Sequence, residues 1–91
     1  MKYIRVQWKH QNPAYPTTLY SELDGAGWEI RKIELFMDGR IGRADRSEAT
    51  GGTRLSIEPL PPLAEIGADP QFEPHEIPRE EFEKVWAAAH G

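Results

Sequence analysis

The chain has 91 residues, of which 38% are hydrophobic, and it contains no cysteine. This length is typical of one domain, residues 1–91, and the lack of cysteine excludes disulfides and thiolate chemistry. The net charge of −4 argues against general nucleic-acid binding, which needs exposed cations to neutralise phosphates. Because no apolar run approaches the roughly 20 residues of a membrane helix, we expect a cytoplasmic protein with no membrane association.

Residues 3–9 alternate polar and apolar side chains, which predicts a half-buried β-strand. The side chains predicted to share one side of this strand are Ile4, Val6 and Trp8. Two prolines predict a loop over residues 10–16. The periodicity of residues 17–23 leaves a short strand and a single helical turn as alternatives.

A hairpin is predicted where Asp38-Gly39 separates the strand-like segments 28–37 and 40–45. This dipeptide favours a two-residue type I′ turn, in which both residues have φ > 0. The register of such a turn forms two oppositely charged cross-strand pairs, Glu34 with Arg43 and Lys32 with Asp45.

The strand before the turn carries apolar residues on both of its sides. Trp28 and Ile30 share one side, whereas Ile33 and Leu35 share the other. A β-bulge near residues 31–32 would bring them onto one core face, and we predict it there. The alternative is that both faces of the sheet are partly covered.

The segments after the hairpin are rich in proline. Residues 53–57 predict a further strand, and residues 63–66 predict one helical turn. Residues 72–77 are expected to be extended, with Pro74 restricting them to an edge or an irregular crossing.

The last element is predicted to be an amphipathic helix. Apolar residues recur at positions i, i+3, i+4 and i+7, namely Phe82, Val85, Trp86 and Ala89. With Pro78 at the cap position, Ile77 and Phe82 have the spacing of a hydrophobic staple. The whole pattern predicts an α+β fold, in which a meander of three to five antiparallel strands packs against this helix.

Two groups of residues are candidates for binding. Trp8 and His10 lie where the first strand meets a proline loop, a place where binding groups often occur. The arginines of the hairpin region are suited to anions or acidic partners, and we single out Arg31, Arg43 and Arg54. The alternative is that these arginines pair internally with the acidic C-terminal part of the chain.

No other motif predicts a chemistry. None of the three histidines has a second histidine at metal-ligand spacing, so we expect no metal and no cofactor. The Gly51-Gly52-Thr53-Arg54 segment lacks the lysine and spacing of a phosphate-binding loop, which favours a plain turn. No catalytic residue is predicted.

Several longer segments point to a family. Residues 28–39 read W-E-I-R-K-I-E-L-F-M-D-G, residues 51–55 read G-G-T-R-L, and residues 68–74 read A-D-P-Q-F-E-P. With these segments, and with Phe82 and Trp86, the chain resembles a family of short bacterial proteins known only as a domain of unknown function. The resemblance implies a single bacterial domain and assigns no activity.

The sequence therefore favours a non-enzymatic binding protein that recognises another protein, in its specific form an immunity- or inhibitor-type protein. Trp, Tyr and Arg, which most often anchor protein interfaces, support this expectation. The alternative is a small-molecule or nucleotide-binding module, or an enzyme, that holds an anion with the hairpin arginines. A homodimer is a third alternative.

Overall fold

The computed structural model describes residues 1–90 as one antiparallel sheet with two helices. The strands are β1 (Lys2–Trp8), β2 (Thr18–Leu23), β3 (Glu29–Leu35), β4 (Ile41–Ala44), β5 (Ala49–Thr50) and β6 (Phe72–Ile77), and the helices are α1 (Leu63–Gly67) and α2 (Arg79–Ala89). The strand order is β5-β4-β3-β2-β1-β6, so the sheet is open. The predicted α+β class and the C-terminal helix are confirmed.

The number of strands corrects the prediction of three to five. The additional pairing comes from β6, which lies beside β1 at the far edge of the sheet. The strand predicted over residues 53–57 is wrong, and the short strand Ala49–Thr50 pairs with β4 instead. Pro74 lies in an edge strand as predicted, a position that a residue without a backbone N–H tolerates.

The hairpin turn differs by one residue from the predicted turn. The Phe36 amide bonds the Arg40 carbonyl, which leaves a three-residue loop over residues 37–39. Gly39 has φ +91°, and it is the only loop residue with positive φ, so a type I′ turn is excluded. The predicted charge pairs are therefore wrong, because Arg43 lies opposite Ile33 and Lys32 lies opposite Ala44.

A bulge is present in β3, one residue before its predicted position. The register between β2 and β3 shifts at Ile30, since Glu22 pairs with Arg31 but Leu23 pairs with Glu29. The bulge does not gather all apolar residues on one face, and Trp28 stays largely exposed. The alternative prediction, that both faces of the sheet are covered, is confirmed by two separate core clusters.

The first cluster lies between the sheet and α2. Its completely or almost completely buried members are Tyr3, Ile33, Ile77 and Phe82, and Trp86 packs against them. The N-cap of α2 is Pro78, which makes no side-chain capping hydrogen bond. Ile77 and Phe82 flank this cap and share the cluster, which confirms the predicted hydrophobic staple.

The second cluster lies on the opposite face, under the connection from β5 to β6. Ile4, Val6 and Leu23 form its buried part. Residues 59–72, which we call the crossing segment, cover them with Leu60 and other apolar side chains. The Leu60 amide also donates to the Gly27 carbonyl at 2.8 Å, so the crossing segment is anchored to the β2–β3 turn.

The Gly51-Gly52-Thr53 stretch is a tight turn that folds back on β4. Both glycines have positive φ, and Thr53 is almost completely buried. A Cβ on Gly42 would collide with the Thr53 hydroxyl oxygen, so the two residues pack in direct contact. The Thr53 hydroxyl donates to Glu34 at 2.6 Å, which ties the turn to β3.

Candidate functional site

A partly exposed group of aromatic rings forms at the end of the sheet where β1 stops and β6 starts. The ring centroid of Trp8 lies 4.7 Å from His10, 5.4 Å from Tyr15 and 5.6 Å from Phe72. We call these four residues the aromatic end. Separations of this size are favourable for aromatic pairs and add to the stabilisation from burial.

Backbone hydrogen bonds from three sides fix the position of this end. The Trp8 amide donates to the Thr17 carbonyl at 2.8 Å, and the Thr17 amide donates to Leu35 at 2.8 Å. The Lys9 amide donates to the Gln71 carbonyl at 2.7 Å, and the Trp8 indole N–H donates to the Gln71 side chain at 2.7 Å. Trp8 is therefore held both through its backbone amide and through the indole N–H.

His10 organises the loop that follows β1. Its Nδ1 accepts a hydrogen bond from the Asn12 backbone N–H at 3.0 Å, so the ring proton lies on Nε2. Nε2 then donates to the Pro16 carbonyl at 2.7 Å. Both ring nitrogens are used within the loop, and the ring packs against Trp8 at 4.7 Å and Tyr15 at 6.3 Å between centroids.

The neighbouring hairpin turn supports the same loop. Arg40 donates through Nη2 to the Pro13 carbonyl at 2.7 Å and through Nε to Asp38 at 2.7 Å. Its guanidinium lies over the Phe36 ring, 4.6 Å from the centroid. The loop and the turn therefore form one continuous surface beside the aromatic end.

The predicted candidates Trp8 and His10 are thus brought together, whereas Tyr15, Phe72 and Arg40 were not among the predicted site residues. Tyr15 is 51% exposed, which is unusual for a ring of its size in contact with a tryptophan. Its position between Pro13 and Pro16 was the available signal, because a proline loop places an aromatic ring at the surface.

Arg31 has a different environment from the one predicted for an open anion site. It makes two hydrogen bonds to Glu22, at 2.6 and 3.0 Å, and two to Glu83, both at 2.9 Å. Its guanidinium also lies 4.9 Å from the Phe82 centroid and 5.1 Å from the Trp86 centroid. Arg31 is therefore tied to the acidic C-terminal helix, the internal pairing that was the alternative prediction.

This ion-pair network shifts the protonation of its members. Hydrogen bonds from Arg31 hold the pKa of Glu22 and the pKa of Glu83 below the usual glutamate value. Burial raises the pKa of Tyr3, whose hydroxyl also donates to Glu22 at 2.8 Å. Both carboxylates stay ionised near neutral pH, so the network links α2 to β2 and β3.

Arg43 and Arg54 do not join Arg31 in one site. Arg43 donates to Thr50 at 3.2 Å and lies 3.7 Å from the Glu48 carboxylate. Arg54 is exposed and follows the Thr53 turn. Within residues 1–90 it makes no hydrogen bond or ion pair, so the three predicted arginines lie in three different environments.

Among the described residues, no three His, Asp or Glu side chains converge as a metal site. None of the helices described over residues 1–90 has the length and apolar character needed to cross a bilayer.

The architecture defines the protein as an α+β domain, with an open six-stranded antiparallel sheet covered by a C-terminal helix on one face. The chain belongs to the family described as domain of unknown function (DUF6881), whose model matches residues 2–91. The predicted membership in a family of unknown function is therefore confirmed. No curated protein and no solved structure matches the chain.

Proposed function

We propose that this protein is a non-enzymatic recognition module that binds another protein through the aromatic end. The observation that carries the proposal is a partly exposed Trp8–His10–Tyr15 group, in which Tyr15 is 51% exposed, fixed by hydrogen bonds before any partner arrives. Tryptophan, tyrosine and arginine are the residues that most often contribute strongly to protein interfaces. Arg40, beside the group, adds the third type.

Preorganisation supports this choice of surface. A flexible loop loses conformational entropy on binding, at a cost of about 0.5–1.5 kcal/mol for each side chain that becomes ordered. Here the loop of residues 10–16 is already held by His10, by Arg40 and by the Asn12 side chain, which accepts from the Ala14 amide at 2.9 Å. The loop would therefore lose little conformational entropy when a partner binds.

The hydrogen bonds of three titratable residues, His10, Glu22 and Glu83, favour a binding function over a catalytic one. Both nitrogens of His10 bond the backbone of its own loop, so the ring serves to hold that loop. Glu22 and Glu83 are both ion-paired with Arg31. General acid–base catalysis needs a group that can reach a substrate proton, and these three residues are directed toward protein atoms instead.

In its narrower form, the proposal is a bacterial, cytoplasmic protein of the immunity or inhibitor type. A cysteine-free sequence supports this location, because such a domain needs no oxidising compartment. An inhibitor also benefits from a rigid binding surface, because preorganisation slows dissociation of the complex.

Comparative affinity capture tests the proposal. Tagged wild-type protein and the Tyr15→Ala and Ile57→Ala variants are used to capture partners from the native cell, and the captured proteins are quantified by mass spectrometry. Ile57 is a matched control, because it is 90% exposed and lies outside the aromatic end. We expect a partner that Ile57→Ala retains and that Tyr15→Ala binds about tenfold more weakly, the loss of a typical interface anchor.

Equal capture by wild type and Tyr15→Ala would contradict the proposal. Circular dichroism of both variants must show an unchanged fold. Tyr15 is half exposed, so its truncation should cost little stability.

The anion-binding alternative has less support. The Arg31 guanidinium already makes four hydrogen bonds to carboxylates. Of the three predicted arginines, Arg43 and Arg54 remain as candidates for binding an anion. A thermal-shift screen with nucleotides and phosphorylated metabolites tests this alternative, since a ligand of the native state raises Tm. The homodimer alternative stays a prediction that light scattering tests directly.

A further inference from the structure

A groove lies between the crossing segment and the face of the sheet opposite α2. It has a volume of about 370 Å³, and apolar side chains of Val6, Leu19, Ile66 and Phe72 form much of its wall. This size and character match sites for small molecules, which usually combine apolar walls with a few polar groups. We call it the Lys32 groove after the one cationic residue that lines it.

Lys32 is unusual because its ammonium group has two partners but no close one. Its side chain is only 16% exposed, and Nζ lies 3.7 Å from a Glu29 oxygen and 4.0 Å from a Glu34 oxygen. Both distances exceed those of a hydrogen bond. The ammonium carries three N–H donors, and these ion pairs leave donor capacity for an acceptor in the groove.

The two carboxylates are held by other donors. Glu29 accepts from the Ser56 backbone N–H at 2.6 Å and from the Ser21 hydroxyl at 2.8 Å. Glu34 accepts from the Thr53 hydroxyl at 2.6 Å. Because both carboxylates already accept hydrogen bonds from these donors, neither has to move closer to Lys32. The long ion-pair distances are therefore consistent with the hydrogen bonds around them.

The charges around the groove decide which ligand fits. Two carboxylates and one ammonium give this cluster a formal charge of −1, and Glu65 and Asp69 add negative charge to the lining. An anion would be repelled by these carboxylates. A cation beside Lys32 would be repelled by the ammonium, and the Glu29 oxygens there already accept hydrogen bonds. Glu65 and Asp69 are exposed, so solvent and salt screen their charges.

We propose that the Lys32 groove binds an uncharged, mainly apolar small molecule whose carbonyl oxygen accepts a hydrogen bond from the Lys32 ammonium. The apolar walls supply the affinity, and the ammonium selects for the carbonyl group. This site lies on the face of the sheet and shares only Phe72 with the aromatic end, and its hydrogen bond from Lys32 does not depend on the protein-binding function proposed above.

Three probes of similar size test the proposal by NMR, with isotope-labelled methyl groups of Val6, Leu19 and Ile66 as reporters. Acetophenone carries a carbonyl, ethylbenzene lacks it, and benzoate carries a charge. A purely apolar groove would favour ethylbenzene, because a carbonyl loses hydrogen bonds to water on burial. We expect acetophenone to bind at least about fivefold more tightly than ethylbenzene and benzoate, since hydrogen bonds to charged groups are the stronger ones.

A pair of lysine variants sharpens the test. Lys32→Met keeps most of the length of the side chain and removes the donor, and it should abolish the preference for acetophenone over ethylbenzene. Lys9→Met removes an exposed lysine outside the groove and should leave the preference unchanged. If Lys32→Met does not fold, an intermolecular NOE between acetophenone and the Lys32 side chain in the wild-type protein replaces it.

The proposal is overturned if no probe shifts the groove methyl groups, or if benzoate or ethylbenzene binds more tightly than acetophenone. A preference for acetophenone that persists in Lys32→Met also overturns it. In the wild-type protein, an NOE that places acetophenone away from Lys32 has the same consequence.

Discussion

The two faces of the sheet are covered in different ways. On one face α2 places Phe82 in a completely buried position, and Arg31 joins the helix to the sheet with two hydrogen bonds of 2.9 Å to Glu83. On the other face the crossing segment leaves a groove of about 370 Å³, and the ion pairs of Lys32 measure 3.7 and 4.0 Å.

The difference follows from the sequences of the two covering elements. The apolar residues of α2 recur with the helical period over 11 residues, so they form one continuous stripe against the sheet. The helix of the crossing segment, α1, has five residues and no buried member, and prolines surround it. An element this short cannot fill a sheet face, so space for a ligand remains beside it.

Truncation of one apolar side chain on each face should have very different effects. Phe82→Ala should lower the free energy of unfolding by about 3–5 kcal/mol, because it removes a completely buried ring. Leu60→Ala should lower it by about 1 kcal/mol, since that side chain is only partly buried. Urea unfolding measures both values, and equal losses would contradict the difference between the faces.

Removal of Arg31 should have the next largest effect. Arg31→Met leaves Glu22, whose side chain is 9% exposed, without its cationic partner and should cost about 3 kcal/mol. Lys9→Met breaks an exposed ion pair of 3.4 Å and should cost less than about 1 kcal/mol. Chemical denaturation of the two variants tests this ranking. Similar losses would show that the Arg31 network is not the link between α2 and the sheet.

Acid should weaken the α2 face. The pKa values of Glu22 and Glu83 lie below the ordinary value of 4.5 in the folded protein. The stability that they contribute is therefore complete above about pH 4.5 and is lost as the pH falls through their folded values. Urea unfolding from neutral pH down to about pH 3 should show this loss, and Arg31→Met should make it shallower. An equal pH dependence in the variant would contradict the assignment.

The sequence predicted those parts of the fold that depend on local periodicity. The stripe around Phe82 predicted α2, alternation predicted β1, and the spacing of Ile77 and Phe82 predicted the staple. The predicted hairpin register was wrong because the Asp-Gly dipeptide is compatible with two loop lengths. It occurs in two-residue loops, as predicted, and also in the observed three-residue loop, in which Gly39 has positive φ. The strand predicted after Gly52 failed because Thr53 packs on Gly42, a contact that only the folded chain reveals.

The candidate sites were less predictable than the fold. Trp8 and His10 were identified because they lie at a strand end beside a proline loop. Arg31 was singled out for its side-chain chemistry, but its partner Glu83 is 52 residues away in sequence, so its internal pairing depends on tertiary structure. Lys32 was assigned to a charge pair across the hairpin, but it lies opposite Ala44 and lines the groove, whose other wall comes from the distant crossing segment.

Native-state hydrogen exchange tests the central difference between the two faces most directly. The Leu60 amide, bonded to Gly27 at 2.8 Å, reports on the crossing segment, and the Val85 amide within α2 reports on the helix. We predict that Val85 exchanges only through global unfolding, with its full denaturant dependence, whereas Leu60 exchanges through a smaller local opening. The same opening free energy and the same denaturant dependence at both amides would contradict the account.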